Sequence, residues 1–141
     1  MTTGSELSRT TRLFLTLTCV LLATATALGA SGAHLLQERL PPDRMAVFLQ
    51  GVQYQFFQAL GLGLIAWLTH VFPLSRAVRI AGWAVVVGIV LFSGSIYATT
   101  AGAPRSIAII AMFGGIAFQI AWLTLAVVTF PRSKRPGTPA T

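Results

Sequence analysis

The sequence predicts an all-α fold, an integral membrane bundle of four transmembrane helices. Three observations point to it. The 141 residues are 55% hydrophobic and only 9% charged, with a mean hydropathy of +0.76, whereas ordinary soluble domains carry about 25% charged residues. Four apolar stretches reach the ~20 residues needed to cross a bilayer: Leu13 to Ala33, about Val47 to Phe72, Ile80 to Thr99 and Ile107 to Phe130. The basic residues fall at the ends of these stretches, where they read as topology signals rather than as a nucleic-acid patch.

The first stretch follows a short N-terminal segment, residues 1–12, that carries Arg9 and Arg12. Basic residues, an apolar run and then Ser31-Gly32-Ala33 also describe a cleaved signal peptide, but the run is at the long end for one, so a retained helix is expected. Cys19 has no second cysteine to pair with, and it is expected to be a small buried apolar residue.

The connector LLQERLPPDRM leads into the second stretch. Proline is tolerated in the first turn of a helix and Asp43 favours its positive end, so the helix should start near Pro42. From there to Phe72 is about 31 residues, or roughly 46 Å at 1.5 Å per residue, against a hydrocarbon core about 30 Å thick. Some of its length must lie in the interface, or the helix must tilt or bend, with Gly51 as the weak point.

This helix holds the stretch QGVQYQFFQ, residues 50–58, with four glutamines and a tyrosine. At 100° per residue Gln50, Tyr54 and Gln58 fall within about 80°, with Gly61 between them, Gln53 at the edge and Gln55 well off. An unpaired amide facing lipid costs several kcal/mol, so the stripe is expected to face other helices. The third stretch offers Ser93, Tyr97 and Thr100 at i, i+4 and i+7, near the same end of the bundle. His34 closes the first helix at that end, and Gln119 sits midway along the fourth.

Small residues on shared faces, Ala84, Gly88 and Ser95 on the third helix and Gly114 and Ala121 on the fourth, should let backbones approach closely. A tight turn with Gly102 and Pro104 joins these two helices. Trp67, Trp83 and Trp122 lie toward the opposite end, as interfacial anchors would. The transmembrane domain thus runs over residues 13–130, followed at 131–141 by a basic, Pro- and Thr-rich tail expected to be disordered. Arg9, Arg12, Arg76, Arg79, Arg132, Lys134 and Arg135 fall on one side and Arg39, Arg44 and Arg105 on the other. The richer side should be cytoplasmic, which places both termini there.

Several chemistries lack their residues. Glu6, Glu38 and Asp43, the only carboxylates, lie outside the apolar stretches, so no buried acid is present for proton coupling. His34 and His70 fall at opposite ends and cannot share a metal ion or haem, so no cofactor is expected. No phosphate-cradling glycine loop or nucleophile–base pair is evident, and no enzymatic activity is expected.

Four segments, GASGAHLL at 29–36, FLQGVQYQFFQAL at 48–60, GWAVVVGIVLFSGSIY at 82–97 and GGIAFQIAWL at 114–123, resemble the YgdD-like family of small bacterial membrane proteins of unknown function. The resemblance implies a four-helix protein of the bacterial inner membrane with its first helix retained. The sequence departs from the family pattern at Gln58, where a histidine is usual, and at Ala111-Met112, where a Thr-Pro pair is usual. A role that needs an imidazole at position 58 is in doubt here, whereas a hydrogen-bonding role survives.

Two functions remain open at this point. The first is a non-enzymatic accessory or structural membrane protein, in contact with membrane lipid and with itself or another membrane protein, whose polar cluster joins helices. The second is a binder or transporter of a small neutral or lipid-like molecule at His34, Gln50, Tyr54, Gln58, Ser93 and Tyr97.

Overall fold

The computed structural model describes residues 6–130; the basic tail predicted at 131–141 lies outside the described residues. Four helices account for almost all of it: α1 (Arg9–Ser31), α2 (Pro42–Val71), α3 (Arg76–Thr100) and α4 (Ile109–Thr129). A single π-helical turn, Gly32–Leu36, extends α1, and a 3₁₀ turn, Arg105–Ala108, leads into α4.

Local chemistry fixes the ends. Ser8 accepts a hydrogen bond from the Thr11 amide and starts α1 at Arg9, four residues before the predicted span. Ser75 caps α3 in the same way through the amide of Val78. Pro42 opens α2 with Asp43 in its first turn, as the sequence predicts. The α3–α4 turn passes through Gly102 at φ +106°, a left-handed conformation that glycine adopts freely.

The helices pack in chain order, α1 on α2, α2 on α3 and α3 on α4. The inner pair is α2 and α3, since α2 packs on both α1 and α3, and α3 on both α2 and α4. Phe14 crosses from α1 to α3, where it sits against Gly82 and meets Trp83 edge-on at 5.7 Å. Around it Leu62, Ile65, Val78, Val85 and Phe118 form the core. The helix containing Arg9–Leu36 and those of Arg76–Thr100 and Arg105–Thr129 are long and apolar enough to cross a membrane. With 30 residues α2 is long enough too, but its four glutamines lower its mean hydropathy.

Glycines decide how closely the helices approach. A Cβ on Gly114 would lie 2.5 Å from the Phe92 amide nitrogen and 2.8 Å from the Gly88 carbonyl oxygen, so α3 and α4 touch backbone to backbone. This is the contact expected of Gly88 and Gly114. Gly51 is a close contact with α3: Ile96 seats on it, within 2.9 Å of where a Cβ would be.

One expectation about α1 changes. Cys19 is exposed on its outer face rather than buried. Thr18 is buried, and its hydroxyl has no hydrogen-bond partner. Thr18→Val removes that unmet donor while keeping the shape, and should leave stability unchanged or raise it by about 1 kcal/mol in unfolding from mixed micelles. A loss of more than that would mean the hydroxyl is bonded.

Candidate functional site

The polar residues of the bundle form several small hydrogen-bonded sets, and the largest centres on Gln55. This residue stands on the buried face of α2 with Gly51, Ala59, Leu62, Ala66 and Thr69, a stripe at helical spacing. Small neighbours on that stripe let α1 and α3 come close on either side, which leaves Gln55 4% exposed between them. Its amide nitrogen donates to the Leu21 carbonyl at 2.9 Å and to Thr24 Oγ1 at 2.8 Å, both on α1. Its Oε1 accepts from the Tyr97 hydroxyl of α3 at 2.8 Å. One side chain therefore links three helices with both of its N–H groups and its oxygen engaged.

Two other sets are pairs and a third is a short relay. Ser93 Oγ of α3 donates to the Gly51 carbonyl of α2 at 2.8 Å. Trp122 Nε1 of α4 donates to Gln58 Oε1 of α2 at 3.0 Å, and its ring lies across Gly61, where a Cβ would come within 2.5 Å. At the opposite end of the bundle Thr11 of α1 and Thr69 of α2 meet at 2.9 Å. Thr69 donates to the Ala66 carbonyl at 2.7 Å, so Thr11 donates to Thr69 and Ser8 in turn donates to Thr11 at 2.8 Å. Each hydroxyl in this relay has one proton and one acceptor for it.

The structure divides the six predicted site residues. Ser93, Tyr97 and Gln58 take part in interhelical bonds as expected. Gln50 is exposed and Tyr54 is 39% exposed, its ring lying on Phe92 at 4.7 Å. The expectation that they turn into the bundle beside Tyr97 is corrected, and so is the placing of Gln55 off the polar face. The physical reason is the stripe of small residues: close approach of α1 and α3 decides which face of α2 is inside, and Gln50 and Tyr54 lie off that face. His34 is exposed in the π-helical turn, and Gln119 is exposed on α4. Trp122 is an interhelical donor as well as an aromatic near the helix end.

Gln58 and Trp122 tie α4 to α2 through one bond, so Gln58→Leu and Trp122→Phe should each cost about 1 kcal/mol. The double variant should cost clearly less than their sum in the same unfolding assay, because each single change already removes the bond. Additive costs would mean the pair is not bonded.

Chemistry beyond helix joining has few groups here. His34 and His70 stand at opposite ends of α2, the first just before it and the second in its last turn. Among the described residues no three His, Cys, Asp or Glu side chains come together.

Residues 28–115 match the family described as a protein of unknown function, DUF423. The chain belongs to this family. DUF423 relatives include the UPF0382 membrane protein YwdK of Bacillus subtilis, 37% identical over 116 residues that cover 82% of this chain and 94% of the relative. The UPF0382 inner membrane protein YgdD of Escherichia coli is 34% identical over 118 residues, covering 79% of this chain and 83% of the relative. The YgdD-like resemblance read from the sequence is thus confirmed. The DUF423 match includes Gly51, Gln55, Ser93, Tyr97 and Gly114 but stops short of Trp122. No solved structure matches the chain.

Proposed function

We propose that the chain is a multi-pass protein of the bacterial inner membrane in which all four helices cross the bilayer, and that its role is accessory or structural rather than catalytic. The observation that carries this reading is the division of α2. Its polar groups Gln55, Gln58 and Thr69 bond to other helices, while its outward face presents Phe57, Leu60, Leu64 and Trp67, each more than half exposed. That face, joined to the outward Ile, Leu and Val of the other helices, forms an apolar surface that suits acyl chains far better than water. The family's relatives named as membrane and inner membrane proteins agree with this placement.

Gln55, Gln58, Ser93 and Tyr97 are committed to bonds between helices, which favours the structural reading over the binder at the central cluster. Contact with a second copy or another membrane protein fits the exposed side of α4. There Gln119 is exposed and nothing lies within 4 Å of where a Cβ on Gly115 would be.

Topology follows from charge. Arg9, Arg12, Arg76 and Arg79 share the end marked by the Thr11–Thr69 bond, and with the three basic residues of the tail this side outweighs that of Arg39, Arg44 and Arg105. In a Cys19→Ala background, Glu38→Cys should react with a membrane-impermeant maleimide in intact spheroplasts and Glu6→Cys only after lysis. The reverse pattern would overturn the orientation, and equal labelling of both in intact cells would overturn the four-span reading.

A further inference from the structure

A cavity of about 260 Å³ opens between the first turns of α2, the last turn of α3 and the 3₁₀ turn that starts at Arg105. Its polar lining divides into two kinds of group. Arg44 and Arg105 supply guanidinium donors for an anion. Asp43 supplies a carboxylate, and Thr99 and Thr100 supply hydroxyl oxygens. Both hydroxyl protons are already donated to the Ile96 carbonyl at 2.9 Å, so these threonines can only accept. The cavity therefore has acceptors for a cationic donor as well as donors for an anion.

Below the cavity runs a seam of mixed apolar and amide side chains on α2. Val47, which lines the cavity, shares an arc of about 80° on α2 with Gln50, Tyr54, Gln58 and Gly61. At the far end Trp122 of α4 covers Gly61 and bonds to Gln58. Toward the cavity the same arc is uncovered, with Gln50 and Tyr54 exposed. Resting on the membrane-spanning reading, this end of the bundle lies at the headgroup level of the non-cytoplasmic leaflet.

We propose that the cavity is a headgroup site for a glycerophospholipid of the phosphatidylethanolamine type. Its phosphate lies between Arg44 and Arg105, its ammonium is taken by Asp43 and the two threonines, and an acyl chain runs down the seam over Tyr54. A purely anionic headgroup would meet the Asp43 carboxylate with like charge, whereas a free phosphate would leave the seam uncovered.

The full chain, reconstituted in vesicles of equal parts phosphatidylethanolamine and phosphatidylglycerol and extracted in mild detergent, should retain phosphatidylethanolamine preferentially, as read by mass spectrometry of the protein–lipid complex. The double variant Arg44→Gln, Arg105→Gln should lose retained lipid roughly tenfold, and the lysine pair Arg44→Lys, Arg105→Lys should recover much of it. Asp43→Asn should shift the preference toward phosphatidylglycerol, and Arg39→Gln, outside the cavity, should change nothing. Undiminished retention in the double glutamine variant, a loss as large in Arg39→Gln, or a wild-type preference for phosphatidylglycerol would overturn the site. Displacement of the lipid by excess inorganic phosphate would assign the cavity to a free anion and overturn it too. Variants are compared on the fraction with wild-type helicity that fractionates with membranes. A wild-type chain recovered outside the membrane fraction would overturn the membrane reading itself, whereas a membrane-bound chain that retains no lipid overturns the site alone.

Discussion

Gly114→Ala should detach the fourth helix from the third and cost about 3 kcal/mol or more, the upper range for overpacking a tight contact. The added methyl would have to occupy space 2.5 Å from the Phe92 amide nitrogen and 2.8 Å from the Gly88 carbonyl oxygen. Both are backbone atoms of a helix, which cannot swing aside as the end of a side chain can. The helices must move apart, and the packing of Phe118 on Gly88 is lost with them. Gly115→Ala provides the comparison one residue away. Nothing lies within 4 Å of its added methyl, and alanine is favoured over glycine in a helix by about 0.5–1 kcal/mol. Unfolding in mixed micelles should place the two variants on opposite sides of the wild type. Equal stabilities would mean that α3 and α4 do not meet at this glycine.

Gln55→Leu should cost about 2–4 kcal/mol, from an unmet Tyr97 hydroxyl at ~1–3 kcal/mol and lost bonds to α1 at ~0.6–2 kcal/mol each. Adding Tyr97→Phe should recover part of the loss, since it removes the donor that Gln55→Leu leaves unpaired. Gln50→Leu, on the exposed face, should change stability by less than about 0.5 kcal/mol. The order of these variants in the same assay tests which amide holds the bundle together. If Gln50→Leu proved the more damaging, the face assignment of α2 would be reversed.

The helices were legible because their evidence is local. Apolar length, Pro42 with Asp43 and the Gly102 turn lie within a few residues of the boundaries they set. Gly88 and Gly114 were legible as contacts because a small residue on an apolar helix has few other uses. The face of α2 was harder to read. Periodicity groups Gln50, Tyr54 and Gln58 by their own polarity, but the buried face is chosen by neighbours that polarity does not describe. The signal was present in a different pattern, because Gly51, Ala59 and Ala66 recur in line with Gln55. A glutamine within a row of small residues marks an amide that neighbouring backbones can reach. The pairing of Trp122 with Gln58 is non-local and left no comparable trace in the sequence.

Two of the interhelical bonds end on main-chain oxygens, that of Gln55 on Leu21 and that of Ser93 on Gly51. Every residue carries such an oxygen, so the receiving positions place no chemical demand on their own side chains beyond size. Mutation can therefore accumulate on one partner without a matching change in the other. Homologues that share 37% of their residues with this chain can preserve this framework with few coordinated substitutions.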